Sequence, residues 1–331
     1  MTTVVVTGAG AGVGRAVAEI FAAHGCDVAL LSRSRERLEV AAEAIRRRGV
    51  RALVLPTDVA DAAAVEQAAE ATEVALGPID LWVNDAMATI FAPVHAITPE
   101  EFRRATEVTY LGTVYGTMAA LRRMRARNAG TIINIGSALS YRAIPLQSAY
   151  CGAKYAIRGF TDSLRCELLH DRSRVHLTMV HLPAVNTPQF DWARNRMGHK
   201  PQPVPPTFQP EVIARAVLFA ATHRRREVWV GWPTVKAILA NKVAPGLIDH
   251  YLGRTGYRSQ LTDARLPQDF AGNLFTPGEG HATSHGRFDA IAQDHSGEMW
   301  TSRHAQAIAL AGLLLGSMGV AHLFGRLTGR R

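Results

Sequence analysis

The first fourteen residues constrain this chain more than any other stretch. Thr2-Thr3-Val4-Val5-Val6 is a β-branched run with the composition of a strand. It runs into Thr7-Gly8-Ala9-Gly10-Ala11-Gly12-Val13-Gly14. Val13, Val17, Ile20 and Phe21 then recur at helical spacing, which predicts a helix from about Gly12. Strand, glycine-rich turn and helix, in that order, form the context of a dinucleotide site. Glycines let the backbone approach a pyrophosphate, and the helix N-terminus offers N–H groups and the positive end of a dipole. An ordinary tight turn also carries glycines, so the flanks and the spacing must separate the two readings. GxGxxG starting at Gly8 would need glycine at 13, where Val13 stands; the spacing present is TGxxxGxG.

Strand and helix signals alternate from there to about residue 232. Val28-Leu31, Ala52-Leu55, Leu81-Val83, Thr131-Ile135, Val175-Val180 and Val228-Val230 are short apolar runs, read as buried strands. Helical patterns lie near 35–48, 61–75, 100–125, 148–170 and 210–222. Such alternation predicts an α/β fold, a Rossmann-type doubly wound parallel sheet with helices on both faces. Ligands of these sheets bind beyond the strand C-termini. The glycine turn, Asp58, Asn84, Ser137 and Pro183 all fall at or just after a strand end, so one sheet edge collects the candidate chemistry.

Tyr150-Cys151-Gly152-Ala153-Lys154 places a phenol and an amine at i and i+4, on one face of a helix. A phenol with pKa about 10 exchanges protons poorly near neutrality, and a nearby ammonium lowers that value. Moving it to about 7 takes roughly 4 kcal/mol of differential stabilisation. Ser137 lies thirteen residues upstream. Tyr and Lys one turn apart are common on helices, and the pair gains meaning only from its company.

With Thr7-Gly8, Gly12 and Gly14, Asp58-Val59, Asn84 with Ala86, Ser137, and Tyr150 with Lys154, the chain resembles the compact branch of the short-chain dehydrogenase/reductase family from about residue 3 to about 232. The resemblance implies that Tyr150 is general acid when a carbonyl is reduced and base when an alcohol is oxidised. It implies that Lys154 lowers the Tyr150 pKa and binds the nicotinamide ribose, and that Ser137 donates to the substrate oxygen. Asp58 and Val59 correspond to adenine contacts; Asn84 and Thr187 join Gly8, Gly12 and Gly14 as expected cofactor residues. The loop at 186–209 is expected to cap the substrate. Its Phe190, Trp192, Met197 and Phe208 either line an apolar pocket or pack the lid onto the core. Dimers or tetramers, paired through the helices near 100–125 and 148–170, are expected from the family alone. Three positions depart from the pattern: NNAG reads Asn84-Asp85-Ala86-Met87, the Asn of the catalytic set is replaced by Thr109, and Ala184 stands where glycine is usual.

Cofactor choice is read after the second strand, where NAD sites place an acid for the ribose 2′-OH. Here Ser32 occupies that position and Arg33 follows. No carboxylate repels a 2′-phosphate and an arginine can pair with it, so NADP(H) is expected over NAD(H). Ala11 stands where relatives that prefer NADP often carry a basic residue.

The three cysteines, Cys26, Cys151 and Cys166, have no framework spacing, so a disulfide scaffold is not expected and a reducing cytoplasmic compartment is. Strand-like sequence begins at once, so no signal peptide is expected. The net charge of +9 includes Arg46-Arg47-Arg48 and Arg224-Arg225-Arg226, both at expected helix ends. No aromatic-interleaved basic motif points to nucleic acid.

After the catalytic domain at 1–233, residues 234–256 read as a helical extension broken at Pro245-Gly246, and 257–300 as a flexible linker rich in Gly, Pro, Asp, His and Ser. His281 and His285 share i, i+4 spacing near Asp289, but no helix signal supports a metal site and none is assigned. Ala305 to Gly325 holds 21 residues without formal charge, with a GxxxG at Gly312 and Gly316. As a helix it would span about 31 Å. It is read as a membrane anchor or membrane-associated tail, against a helix packed on a partner subunit. The expected function is NADP(H)-dependent interconversion of a carbonyl and an alcohol on a small, lipophilic molecule. The competing reading is a non-catalytic NADP-binding redox sensor.

Overall fold

The computed structural model describes residues 2–267, 269–278 and 283–299. Seven parallel strands form the central sheet: β1 (Thr3–Thr7), β2 (Asp27–Ser32), β3 (Ala52–Pro56), β4 (Ile79–Asn84), β5 (Thr131–Ser137), β6 (His176–Leu182) and β7 (Glu227–Trp229). Their spatial order is β7-β6-β5-β4-β1-β2-β3. The order reverses at β1, with β2 and β3 on one side and β4 on the other, so a crevice opens beyond the C-terminal ends of β1 and β4.

Both faces of the sheet are covered, which is why its strands read as near-continuous apolar runs. Alternate residues go to opposite layers. Val4 and Val6 join the core formed with the helices Gly12–Ala23, Arg35–Arg46 and Pro210–Thr222. Val5 joins the other core, with Ala62–Leu76, Gly112–Arg127 and Ser148–His170. Local signals start the helices: Ser34 accepts the Arg37 N–H, Asp61 accepts those of Ala63 and Ala64, and Thr98 and Glu101 form a capping box.

The helix expected over 100–125 is interrupted. Pro99–Thr106 and Gly112–Arg127 are joined by a π turn at Glu107–Leu111, a feature frequent at functional sites. Thr109 sits in that turn. Two further helices, Trp232–Val243 and Pro245–Thr255, follow the last strand.

The expected flexible linker at 257–300 is corrected in its described part. Leu261–Arg265 pairs antiparallel with His199–Pro201, and Ala292–Gln293 pairs with Thr207–Phe208. Asn195 and Phe270 exchange backbone hydrogen bonds of 3.1 Å in both directions, and Leu274 is fully buried. Composition pointed the other way because the segment has few apolar side chains; it docks chiefly through its backbone, whose donors and acceptors every sequence supplies. Among the described residues no helix is long and apolar enough to cross a membrane. The apolar stretch 305–325 lies outside the described residues, and so does His281.

Candidate functional site

A cavity of about 460 Å³ lies along the C-terminal edge of the sheet. Gly8 and Gly12 line one part, Ser32 and Arg33 the end beyond β2, Asp58 and Val59 the end beyond β3, and Ser137, Tyr150, Lys154 and Thr187 the opposite part. Ten of the twelve residues singled out in the sequence therefore meet in one space.

The other two lie outside it. Gly14 does not line the cavity; it lets the helix start pack onto the turn, since a Cβ there would lie 2.5 Å from the Gly8 carbonyl oxygen. Asn84 does not line it either. Its Oδ1 accepts from Trp82 Nε1 at 2.8 Å, and its Nδ2 donates to Thr117 Oγ1 at 3.0 Å and Asn134 Oδ1 at 2.9 Å. Asn84 follows Trp82 by two residues and so points into the same layer. It ties β4 to β5 and to the helix Gly112–Arg127.

The catalytic candidates sit where β5 ends and the helix Ser148–His170 begins. The Ser137 hydroxyl is hydrogen-bonded to the Tyr150 phenol and accepts from the Leu139 N–H at 3.1 Å. Lys154 is 3 % exposed; its Nζ donates to the Ile135 carbonyl at 2.6 Å and lies 5.5 Å from the Tyr150 ring centre. Burial pushes the phenol well above its ordinary range, and the Ser137 hydrogen bond only partly opposes this. The expected lowering by Lys154 does not act on the phenol here: burial is the leading effect, and the ammonium stands 5.5 Å from the ring centre.

Thr109 bonds to neighbouring backbone. Its hydroxyl donates to the Ala88 carbonyl at 3.0 Å and accepts the Ala88 N–H at 2.9 Å, while its own carbonyl accepts the Thr113 hydroxyl at 2.9 Å.

At the β2 end, the Ser32 hydroxyl is buried and has no hydrogen-bond partner. A Cβ on Gly10 would lie 2.8 Å from that oxygen, so the glycine leaves room beside it. Arg33 donates to the carbonyls of Asn273 (2.5 Å), Leu274 (3.3 Å) and Phe275 (3.0 Å). Arg37, which also lines the cavity, donates to the Gly278 carbonyl and stacks on Trp192 at 4.2 Å. The Gly12 N–H donates to the Thr283 carbonyl at 3.0 Å. The C-terminal segment therefore crosses this end of the cavity as a strap. Asp58 pairs with Arg104, which holds its carboxyl below the usual range against the effect of burial.

Sequence reasoning missed Arg37, Asp85 and the strap. Arg37 sits one turn into a helix four residues after Arg33, a signal that was available; the strap left none. Of the loop residues, Phe190 and Trp192 line the cavity, whereas Met197 packs against the cluster of Phe91, Phe190 and Phe288, and Phe208 belongs to the main core. Leu139, Ile144, Leu182, Val204 and Pro206 make the remaining wall largely apolar. His285 lies 2.7 Å from Asp289 and 2.9 Å from Glu211, as an ion-pair cluster. Among the described residues no group of three His, Cys, Asp or Glu is arranged to hold a metal.

Residues 2–197 match the family model described as short chain dehydrogenase. The chain is 31% identical over 259 residues to an uncharacterized oxidoreductase, YxnA, of Bacillus subtilis (strain 168), covering 78% of this chain and 73% of that one. It is 29% identical over 225 residues to a fatty acyl-CoA reductase of Acinetobacter baylyi, covering 67% and 74%. Among solved structures it is similar to an alcohol dehydrogenase from the archaeon Thermococcus sibiricus complexed with 5-hydroxy-NADP. There the TM-score is 0.59 at 27% identity, over 70% of this chain and 96% of the other.

Proposed function

This chain belongs to the short-chain dehydrogenase/reductase family, whose members bind nicotinamide cofactors, and on that premise we propose that it is an NADP(H)-dependent oxidoreductase that reduces the carbonyl of a lipophilic substrate. The observation that carries the reading is the Ser137–Tyr150–Lys154 cluster, set in the same cavity as the Gly8–Gly12 turn and the Ser32–Arg33 end. The nicotinamide, when bound, supplies the hydride.

Tyr150 holds the proton that the substrate oxygen receives. Burial keeps the phenol protonated at neutral pH, so in the cofactor-free protein it carries the proton that reduction consumes. Ser137 donates to the same oxygen and stabilises its developing charge. Lys154, fixed through the Ile135 carbonyl, is assigned to the ribose. NADP(H) is preferred because the β2 end offers an unpartnered hydroxyl, two guanidinium groups and no carboxylate. Asp58 and Val59 are assigned to the adenine and Thr187 to the nicotinamide end. The apolar wall supports a lipophilic carbonyl compound. Assembly through the helices Gly112–Arg127 and Ser148–His170 is proposed as well, and light scattering on purified protein tests it.

A broad carbonyl panel with NADPH and NADH tests the function. The expected result is turnover with NADPH that falls at least about a thousandfold in Tyr150→Phe, within the range of acid catalysis. The Thr109 substitution favours one second reading, a cofactor-binding sensor. Tight NADPH binding with no turnover on any carbonyl would select it.

A further inference from the structure

Asp85 stands where the family pattern carries asparagine, and its carboxylate occupies a site built for it. The Thr7 hydroxyl, at the end of β1, accepts the N–H groups of Asp85 (3.0 Å) and Ala86 (3.1 Å) and fixes the loop. The carboxylate accepts the Gly14 N–H at the start of the first helix, where the dipole favours a negative group. A Cβ on Gly14 would lie 2.8 Å from Asp85 Oδ2, so glycine at 14 makes the space. Asp85 and Lys154 line the same cavity without direct ion-pair contact, and Lys154 is the cation whose charge acts on Asp85 through space. Asp58, the other carboxylate of the cavity wall, is already paired with Arg104.

We propose that Asp85 is a positioning residue for Lys154, the counter-ion that keeps the buried ammonium charged beside Tyr150 and so sets the alkaline limit of the reaction. The inference rests on the reading of Lys154 and Tyr150 given above.

The groups facing the pair are Tyr150 and Cys151 from their own helix, Ser137 and the Ile135 carbonyl from β5, and the Gly14 N–H from the first helix. Burial drives Lys154 toward the neutral amine, and Asp85 opposes it. Burial likewise drives Asp85 toward the neutral acid, and Lys154 opposes that. For Tyr150, burial and the Asp85 charge both raise the phenol. Removing the charge at 85 therefore leaves the ammonium to lose its proton at lower pH.

Asp85→Asn tests this with little risk to folding, since asparagine keeps the shape. The chain has only four lysines, Lys154, Lys200, Lys236 and Lys242, so 13Cε-lysine NMR of the cofactor-free protein resolves each one. The expected result is a Lys154 titration at least about one pH unit lower in Asp85→Asn, with the other three unmoved. The alkaline limb of kcat/KM for carbonyl reduction should shift down with it. A Lys154 titration unchanged in a folded Asp85→Asn protein overturns the proposal. The NMR arm needs no turnover: a shifted Lys154 in a protein without activity would sink the functional reading alone, and activity with an unshifted Lys154 would sink this one alone.

Discussion

Arg33 Nη2 lies 2.5 Å from the carbonyl oxygen of Asn273, a residue 240 positions further along the chain. The same guanidinium donates to the next two carbonyls, so its fork is held by three consecutive residues of the strap. A planar fork with fixed donors suits such a grip, and a lysine would not reproduce it. The arginine assigned to the 2′-phosphate is thus also the anchor of the C-terminal segment.

Arg33→Ala should weaken NADPH binding about tenfold to a hundredfold, roughly 1.4 to 2.7 kcal/mol, while NADH binding stays within about threefold. Arg33→Lys should recover only part of the loss. Titrating both cofactors by fluorescence checks this; equal losses for the two would remove Arg33 from the phosphate site.

The parts of the fold that could be read in advance are those with a short repeat. β1 to β7 are buried on both faces, so each appears as an apolar run, and helical spacing marks the elements between them. Ser137, Tyr150 and Lys154 were legible because one strand end and one helix turn hold all three. The interior position of Asn84 was not legible, because a strand-end residue faces either the cavity or the interior, and only its i, i+2 relation to Trp82 decides which. Asp85 was seen only as part of a loop that had lost its glycine. The strap was harder to see for a different reason: across the Ser32–Arg33 end of the cavity its contacts are backbone carbonyls meeting arginines, and carbonyls carry no residue identity.

Gly14→Ala should destabilise the protein by about 1 to 3 kcal/mol, because its Cβ would meet the Gly8 carbonyl at 2.5 Å and backbone cannot move aside cheaply. At roughly 2–4 °C per kcal/mol for a chain of this size, Tm should drop several degrees. Gly152→Ala is the control: it lies in the helix Ser148–His170 with nothing within 4 Å of an added Cβ, and should leave Tm unchanged or raise it slightly. A melting curve of each variant decides; an unshifted Gly14→Ala would contradict the packing described.

Glu227 should make the protein acid-sensitive. Burial works against its charge, but His181 at 3.4 Å and hydrogen bonds from Tyr141 and Trp229 win and hold its carboxyl far below the usual range. His181, fully buried, also reaches the Ser137 carbonyl at 3.2 Å, so the cluster backs the catalytic strand end. The folded-state pKa is depressed, so the stabilisation is present above the unfolded value of 4.5 and is lost as pH falls below it. Glu227→Gln should therefore cost about 1 to 3 kcal/mol in urea unfolding at pH 7. Its cost should shrink progressively below pH 4.5. A cost independent of pH would mean that the charge contributes nothing.

The strap should loosen in alkali through His285. Burial lowers its pKa, but hydrogen bonds and charges from Glu211 and Asp289 outweigh that and raise it above 6.5. Glu211 belongs to the helix Pro210–Thr222, so the imidazolium bridges the strap to the main domain. A raised folded-state pKa means that the contribution is full below the unfolded value and disappears as pH rises through the folded one. The pair is partly exposed, so salt should weaken it too. Limited proteolysis should cut the strap faster at pH 8.5 than at pH 6. His285→Gln, which keeps hydrogen-bonding atoms but carries no charge, should be cut at one rate at both. Wild-type cleavage that does not change with pH, under conditions where the protease itself is equally active, would rule out His285 as the fastening.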